Sequence, residues 1–356
     1  MANCLVIIRN KKLNIDYNRL SSLIRIFSAA CYYFDKISFV GFDSSKGISD
    51  QLRECRANFE NSVILCNGEQ RAAIEDYLQK IYGQSFDGRF YLNSGQISVC
   101  LGQADDWQAF AQACVQFFDK KYGLSYDKFY IKCVSAPAAL IYESIEKARA
   151  AGGDTAFAVY DDFGDQTIEV SYSSNTPKMT ADGVQRTLVS ALGEYIYALE
   201  NISLERRLYD LLKLRRMKIS VAESFTGGGI ASRLVSVPGV SEVYFEGLNT
   251  YANESKMTRL GVDELTLKQY GAVSEQTAFE MAQGLINTGN CDAAIATTGI
   301  AGPKSDNTAK PVGLAYIAIG TRENIKVYKF NYKGDRESIT RMAINDALFL
   351  AYKMLK

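Results

Sequence analysis

The chain has 356 residues, of which 47% are hydrophobic and 22% are charged, so it is long enough to form two or three folded cores. Forty basic residues balance forty acidic residues, and we expect no overall field that attracts nucleic acid or an anionic membrane. Histidine is absent, which excludes Ser-His-Asp catalysis, Cys-His catalysis and zinc sites with histidine ligands. Acid–base chemistry therefore requires Lys, Tyr, Cys, Asp or Glu with a shifted pKa.

The first apolar run, residues 5–8, is too short for a signal-peptide core, and no window reaches the length of a membrane span. We therefore expect a cytoplasmic protein without a membrane partner. The eight cysteines include no C-x-x-C pair or other zinc spacing. We expect them to be small buried residues in a reducing compartment, and we expect no metal site.

Residues 1–125 alternate short apolar runs with amphipathic stretches. The pattern predicts strands over residues 5–8, 37–40 and 63–66 and helices over residues 17–33, 70–82 and 106–121. This alternation is typical of a three-layer α/β domain. The strand ends lack a glycine-rich phosphate loop, and Cys66-Asn67-Gly68-Glu69 has the composition of a simple turn.

Residues 126–200 predict a smaller α+β module. Its expected elements are strands over residues 128–134, 155–160 and 166–173 and helices over residues 137–151 and 181–200. The module has the size of a KH-type RNA-binding domain, but Ala151-Gly152-Gly153-Asp154 is not the G-x-x-G clamp and the turn over residues 161–165 is acidic. We expect a spacer or dimerisation module that does not bind nucleic acid.

The segment Ala222-Glu223-Ser224-Phe225-Thr226-Gly227-Gly228-Gly229 joins a predicted strand over residues 217–221 to a predicted helix over residues 230–234. A turn of this kind offers backbone N–H groups and a helix N-terminus to a phosphate or a developing oxyanion. Ser224 is therefore a candidate nucleophile. Taken alone, the segment also fits a tight connection in which Ser224 is an ordinary capping residue.

A lysine can deprotonate this serine if burial or a neighbouring cation lowers its pKa from about 10.4 toward neutrality, and a tyrosine can relay the proton. Tyr251 and Lys256 lie five positions apart, where a strand end is expected to lead into a helix capped by Asn253. Both side chains can then point at one site. In the alternative interpretation, Lys256 is a solvated helix residue and Tyr251 is a half-buried strand residue.

A second glycine-containing segment, Thr298-Gly299-Ile300-Ala301-Gly302-Pro303, follows a predicted buried strand over residues 293–297. Open α/β sheets bind ligands at this end of a strand. The glycines allow backbone N–H groups to approach a phosphate or a ribose, and the hydroxyls of Thr297 and Thr298 can add donors. A glycine-proline turn explains the segment equally well.

Two charged residues near these segments have open roles. Arg336 follows Gly334-Asp335 at the start of a predicted helix, where it can contact a phosphate or pair with Asp335 or Glu337 on the surface. Glu223 can orient Lys256 or cap the turn that follows it.

Six segments, AESFTGGGIASRL, TYANESK, GAVSE, TTGIAGP, KPVGLAYIA and GDRE, occur in this order within residues 201–356. Their order and spacing closely resemble the C-terminal domain of the CinA family, the nicotinamide-nucleotide amidohydrolases. The resemblance implies an α/β amidohydrolase domain over residues 201–356. The family usually has a cysteine at the position of Phe225, but that cysteine is not regarded as the nucleophile. We therefore expect Phe225 to change packing rather than chemistry.

The resemblance implies specific roles for the residues that match the family motifs. Ser224 matches the nucleophile, Lys256 the general base and Tyr251 the tyrosine that assists them, and the backbone at Thr226 and Gly227 would form the oxyanion pocket. The expected substrate-binding residues are Thr226, Gly227, Gly228, Thr298, Gly299, Ala301, Gly302 and Arg336. The implied reaction is hydrolysis of the carboxamide of nicotinamide mononucleotide, with no metal or cofactor, in a homodimer.

Full-length CinA proteins begin with a domain like those that bind molybdopterin, followed by a KH-type module, and residues 1–125 and 126–200 match that order. The family's early T-G-G-L-G-P-T-type loop has no counterpart, since residues 65–70 read Leu-Cys-Asn-Gly-Glu-Gln. We therefore interpret the first domain as a degenerate copy. Two other functions stay open: a non-catalytic nucleotide-binding or scaffold protein, and a metal-dependent ADP-ribose pyrophosphatase in the first domain.

Overall fold

The computed structural model describes residues 2–9, 17–83, 90–93, 97–103, 106–123, 125–150, 152–153, 155–304 and 309–356. The chain divides into two compact units, Met1–Asp127 with Ser173–Asn175 and Lys128–Tyr172 with Thr176–Lys356. The sequence predicts three domains, whereas the second unit contains most of both segments that begin at residues 126 and 201. The architecture is mixed α/β and multidomain, as predicted.

A five-stranded sheet with helices on both faces forms the first unit. Its strands are Asn3–Arg9 (β1), Lys36–Gly41 (β2), Asn61–Cys66 (β3), Phe90–Asn93 (β4) and Ile97–Gln103 (β5), and its helices are Tyr17–Ala29 (α1), Ser45–Asn58 (α2), Gly68–Tyr82 (α3) and Trp107–Tyr122 (α4). The strand order is β2-β1-β3-β5-β4; β4 is antiparallel to β5 and the other pairs are parallel. α2 and α3 pack on one face and α1 and α4 on the other, which confirms the three-layer architecture.

The strands and helices predicted for this unit are present, although the first helix ends at Ala29 and not at residue 33. The sequence does not predict β4, β5 or α2. The helical pattern of α2 is weak because only Ile48, Leu52 and Cys55 of its side chains are buried. The eight cysteines, all within the described residues, form no disulfide with one another, and the seven other than Cys31 are buried in the cores, as predicted for small buried residues.

The second unit begins with a four-stranded sheet and two helices. Its elements are Tyr126–Val134 (β6), Ala138–Arg149 (α5), Thr155–Asp162 (β7), Asp165–Ser173 (β8), Lys178–Leu192 (α6) and Ile196–Ala198 (β9). The strand order is β7-β8-β6-β9, and α5 packs beside α6. β7 and β8 form an antiparallel hairpin that is paired as far as Asp162 and Asp165, so its turn consists of Phe163 and Gly164.

The helix predicted over residues 181–200 is wrong in its last part. α6 ends at Leu192, and the chain returns as β9, which pairs with the end of β6. The apolar side chains of this stretch suit a helix or a strand, and the open sheet edge beside Lys132 and Cys133 decides between them. The predicted turn over residues 151–154 cannot be compared, because Ala151 and Asp154 lie outside the described residues.

The remainder of the second unit is a five-stranded sheet in order β11-β10-β12-β13-β14. Its elements are Leu204–Arg215 (α7), Ile219–Glu223 (β10), Gly229–Val235 (α8), Tyr244–Asn249 (β11), Asn253–Leu260 (α9), Glu264–Tyr270 (α10), Glu275–Asn287 (α11), Ala293–Gly299 (β12), Leu314–Thr321 (β13), Ile325–Asn331 (β14) and Arg336–Leu355 (α12). β11, β10 and β12 are parallel, and β13 and β14 are antiparallel additions. One core lies among α7, α8, α12 and the sheet, and a second lies under α9, α10 and α11.

The parallel strands of this sheet bring three loops to one edge. Glu223 at the end of β10 is in register with Asn249 of β11 and with Thr297 of β12. The residues that follow these strands therefore leave the sheet side by side, which is where open α/β sheets bind ligands. Among the described residues, no helix combines the length and the apolar character that crossing a membrane requires.

Replacement of Gly284 by alanine should destabilise the second unit. A Cβ at this position of α11 would lie 2.0 Å from the carbonyl oxygen of Leu260, the last residue of α9, so the two helices would have to separate. Overpacking of this kind costs about 1–3 kcal/mol. We expect the melting temperature of Gly284→Ala to fall by several degrees in differential scanning fluorimetry.

Gly183→Ala is the matched control. Gly183 also lies inside a helix, α6, and apart from the adjoining residues and backbone of that helix, no atom of the described residues lies within 4 Å of an added Cβ there. Since alanine favours helix over glycine by about 1 kcal/mol, this variant should not melt earlier than the wild type. An unchanged melting temperature for Gly284→Ala would contradict the close packing of α11 against α9.

Candidate active site

Ser224 leaves the sheet directly after β10, at the edge where the parallel strands end. Its backbone N–H donates to the carbonyl of Thr297 at 3.1 Å, which extends the β10–β12 pairing by one residue. The side chain is nearly buried, with an exposed fraction of 8%. The strand pairing therefore fixes the position of the candidate nucleophile.

The carboxylate of Glu223 holds the turn that follows Ser224. It accepts from the N–H groups of Gly228 at 3.1 Å, Ile230 at 3.1 Å and Ala231 at 2.8 Å, so it caps α8 and does not contact Lys256. Gly227 and Gly228 have φ values of +63° and +92°, a region that glycine enters without strain. The glycines are thus required by the path of the backbone between strand and helix.

This turn determines which backbone N–H groups already have an acceptor within the protein and which do not. The N–H of Gly227 donates to the carbonyl of Ser224 at 3.2 Å, and that of Gly228 is held by Glu223. Within the described residues, the N–H groups of Phe225 and Thr226 have no acceptor. Of the backbone pair predicted to hold an oxyanion, the N–H of Thr226 is available and that of Gly227 is engaged.

Lys256 lies on α9 and directs its amino group at Ser224. Nζ is 3.1 Å from Oγ of Ser224, 2.7 Å from the carbonyl oxygen of Thr250 and 3.1 Å from that of Tyr251. The residue is 1% exposed, and the interpretation as a solvated helix residue is therefore wrong. Burial lowers the pKa of Lys256 to about 8, because the charged amine loses its hydration.

Tyr251 contacts the lysine through its backbone rather than through its ring. Its carbonyl is one of the acceptors of Lys256, while the residue itself is 64% exposed, so it is not half-buried as the alternative interpretation predicts. Asn253 is the first residue of α9 and not its cap, since the N-cap position is Ala252, whose side chain has no group to bond.

The hydroxyls of the threonines near this edge bond within the protein. Thr226 and Thr297 share a hydrogen bond of 2.7 Å between their Oγ1 atoms. Thr298 donates through Oγ1 to the carbonyl of Ala272 at 2.6 Å, and Nζ of Lys310 donates to the neighbouring carbonyl of Val273 at 2.7 Å. These bonds hold the wall of the site in place, so the hydroxyl of Thr298 is not a free donor to a ligand, and that of Thr297 is bonded to Thr226.

A cavity of about 280 Å³ opens beside Ser224. It is lined by Ser224, Phe225, Tyr251, Lys256, Ala272, Val273, Thr298, Gly299, Ile300, Ala301, Gly302, Lys304 and Arg336. All predicted catalytic and substrate-binding residues except Thr226, Gly227 and Gly228 are therefore in the lining, and those three form the turn that supports it. Gly299 permits this arrangement, since a Cβ there would lie 2.9 Å from the ring of Phe225.

The lining carries positively charged side chains. Arg336 donates through Nη1 to the carbonyl of Gly302 at 2.9 Å, which directs its guanidinium toward the cavity, and it forms none of the ion pairs seen among the described residues. Lys304 was not expected from the sequence, although it directly follows the predicted glycine-containing loop. Among the described residues, the lining includes Lys256, Lys304 and Arg336 and no carboxylate, and these cations suit an anionic ligand.

Comparison with known proteins identifies the family. The model of the CinA C-terminal domain matches residues 201–355. The chain belongs to the CinA family. A relative from Caldicellulosiruptor saccharolyticus, named for competence-damage induction, is 35% identical over 271 residues, which are 74% of this chain and 65% of the relative. This alignment is longer than residues 201–356, so the similarity to that relative extends into the preceding residues.

Two further relatives match shorter stretches. A CinA-like protein from Kosmotoga olearia is 38% identical over 59% of this chain and 52% of its own length. The solved structure of the competence/damage inducible protein CihA from Agrobacterium tumefaciens is 37% identical over 43% of this chain and 94% of its own, with a TM-score of 0.42. The chain spans about half to two thirds of the length of these two curated CinA relatives.

The burial of Lys256 should reduce the stability of the protein at neutral pH. In the unfolded chain lysine stays protonated up to a pH of about 10.4, whereas in the folded protein its pKa is about 8. The free-energy cost of burying the charged amine is therefore fully present below about pH 8 and disappears as the pH rises to about 10. We expect Lys256→Met to exceed the wild type in free energy of unfolding by roughly 1–3 kcal/mol at pH 7, measured by urea denaturation.

This difference should shrink between pH 8 and pH 10. Lys268→Met provides the control, since Lys268 lies on the exposed face of α10, 66% exposed and paired with Glu264, and its removal should show no comparable pH dependence. A Lys256→Met variant that is less stable than the wild type at pH 7 would refute the desolvation of this amine.

Proposed function

We propose that the protein is a serine amidohydrolase that removes ammonia from the carboxamide of nicotinamide mononucleotide. The observation that carries the proposal is the buried amine of Lys256, 3.1 Å from the hydroxyl of Ser224. This pair supports the reaction type, and the resemblance to the CinA family and the charge of the cavity support the substrate.

The surroundings of Lys256 suit a general base. As a neutral amine it has two N–H groups and one lone pair. The carbonyls of Thr250 and Tyr251 accept the two N–H groups, which directs the lone pair at the hydroxyl of Ser224. With a pKa of about 8, a substantial fraction of the amine is neutral near physiological pH. Lysine can therefore take the role that histidine fills in other serine hydrolases.

The proposed reaction has two steps. The hydroxyl oxygen of Ser224 attacks the carboxamide carbon while its proton moves to Nζ of Lys256. The oxygen of the tetrahedral intermediate accepts from the N–H groups of Phe225 and Thr226, which point to no other acceptor within the described residues. Lys256 returns the proton to the leaving nitrogen, and ammonia departs. Water, deprotonated by Lys256, then attacks the ester carbon, and Lys256 returns the proton to Oγ of Ser224 as the C–O bond breaks and nicotinate mononucleotide leaves.

The charge distribution of the cavity supports a phosphorylated substrate. Arg336 and Lys304 can bind a phosphate, arginine through paired N–H donors. Ser224 and Lys256 would then act on a carboxamide at the other end of the same molecule. Tyr251 lies at the entrance, where its exposed ring can cover the nicotinamide or relay a proton to the leaving nitrogen.

The test is ammonia release from nicotinamide mononucleotide. We expect turnover by the wild type and a loss of at least about a thousandfold in kcat for Ser224→Ala, because the nucleophile is removed. The variant should still bind the nucleotide, which isothermal titration calorimetry can verify.

Ser232→Ala is a suitable control, since it removes a serine hydroxyl from α8 outside the cavity. The same assay is run on Tyr251→Phe. This variant keeps the backbone carbonyl that accepts from Lys256 and removes only the phenolic hydroxyl, so a loss of kcat would assign the proton relay to that hydroxyl. Equal activity of Ser224→Ala and wild type would end the proposal.

The rate should depend on the neutral fraction of Lys256. Because burial lowers the pKa of this amine to about 8, kcat/KM should rise with pH and reach half its maximum near pH 8. The nucleotide phosphate titrates near pH 6, so a profile measured from pH 7 to pH 10 isolates the enzyme group. A profile that is flat across this range, with chemistry rate-limiting, would contradict the role of Lys256 as the base.

A further inference from the structure

The hairpin between β7 and β8 contacts α12, the helix that begins with Arg336. Nδ2 of Asn345 donates to the carbonyls of Asp162 at 2.9 Å and Phe163 at 3.0 Å. Nη2 of Arg341 donates to both carboxylate oxygens of Asp162 at 2.8 Å, and its guanidinium lies 4.2 Å from the ring centroid of Phe163. We call these four residues the hairpin contact.

The hairpin has little freedom to move. Its turn residues, Phe163 and Gly164, both have φ values in the left-handed region, as the tightest hairpins require. The carboxylate of Asp161 accepts from the N–H of Gly164 at 2.7 Å and from Nε2 of Gln166 at 3.0 Å. The carbonyl of Gly164 accepts from the N–H of Ser135 at 2.8 Å. The carbonyls that bind Asn345 are therefore held in fixed directions.

Asn345 is a buried junction between the hairpin and the catalytic sheet. It is 2% exposed, and its Oδ1 accepts from Nη1 of Arg233 on α8 at 2.8 Å. Arg233 also donates through Nε to Glu205 of α7 at 2.9 Å. The next residue of α12, Asp346, accepts from Oγ of Ser135 at 2.7 Å. Hence two consecutive residues of α12 bond to the module that precedes the catalytic domain.

The other end of α12 reaches the cavity. Arg336 precedes Asn345 by nine residues, about 13 Å of helix, and bonds to the carbonyl of Gly302 in the cavity wall. α12 also touches the start of α8, since a Cβ on Gly229 would lie 2.3 Å from Cδ1 of Ile344. A helix is stiff over this length, so a shift at Asn345 moves Arg336 and the residues behind the Ser224 turn together.

We propose that Asp162, Arg341 and Asn345 are positioning residues for the phosphate end of the substrate. The hairpin contact holds α12 so that Arg336 faces the cavity, which makes the small α+β module part of the substrate-binding apparatus. This proposal rests on the proposed function in assigning the phosphate to Arg336.

Charge reversal of the exposed pair tests the proposal without opening the core, because Asp162 and Arg341 are 63% and 42% exposed. Asp162→Lys and Arg341→Glu, alone and combined, are compared in the full-length protein for KM and kcat. The two substrates are nicotinamide mononucleotide and nicotinamide riboside, which has the same carboxamide and no phosphate.

We expect each single change to raise KM for the mononucleotide about threefold to tenfold and to leave KM for the riboside within about twofold. The double variant should recover most of the loss, since it restores an ion pair.

The control is Glu264→Gln, which breaks an exposed ion pair with Lys268 on α10 and should change neither KM. An equal rise of KM for both substrates, or no rise in either single variant, would overturn the proposal. Hydrogen exchange of residues 336–343 gives a reading independent of catalysis: it should be faster in both single variants and slower again in the double variant.

If the wild type hydrolyses neither substrate, the proposed function fails, and the exchange data alone decide the role of the hairpin contact. Unchanged exchange in the single variants would then refute it, and faster exchange that the double variant reverses would support it.

Discussion

The burial of one lysine is the constraint on which the candidate site depends. A lysine that is 1% exposed is tolerated only if the hydrogens of its amino group find acceptors and the amino group can lose its proton, and with it the charge. The strand ends supply both conditions. Thr250 and Tyr251 follow β11, where the backbone leaves the sheet and its carbonyls no longer pair with a neighbouring strand, and they accept from Lys256. Desolvation then lowers the pKa of the amine to about 8, in a chain that has no histidine.

The turn after β10 is subject to a second constraint, because the helix α8 begins shortly after Ser224 in the chain. The first N–H groups of a helix lack internal partners, and here the carboxylate of Glu223 accepts three N–H groups around the start of α8. Gly227 and Gly228 provide the left-handed backbone that brings these groups within its reach. The N–H groups of Phe225 and Thr226 have no acceptor among the described residues, so the turn that Glu223 holds leaves two backbone donors next to Ser224.

The two halves of the second unit are joined by polar contacts of high specificity. Asn345, Asp346 and Arg233 are bonded on nearly every polar atom, and a buried group that lost its partner would cost more than a surface contact gains. Such contacts fix one arrangement of α12 against the β7–β8 hairpin. The helix that carries Arg336 is thus held at one end by the cavity wall and near its middle by the preceding module.

The sequence by itself determined the layered α/β architecture and the position of Ser224 at a strand end, and its resemblance to the CinA family selected Lys256 as the partner of Ser224 from the residues that remained possible. Apolar periodicity is a local property, and the absence of histidine leaves few groups that can activate a hydroxyl. Only the tertiary structure decided that Glu223 caps α8, that Tyr251 holds the lysine through its carbonyl, that residues 196–198 form a strand, that Lys304 lines the cavity and that the β7–β8 hairpin bonds to α12. These features depend on which atoms meet after the strands pair. Backbone carbonyls and N–H groups occur at almost every position of a chain. Only the pairing of the strands decides which of them contact the site residues.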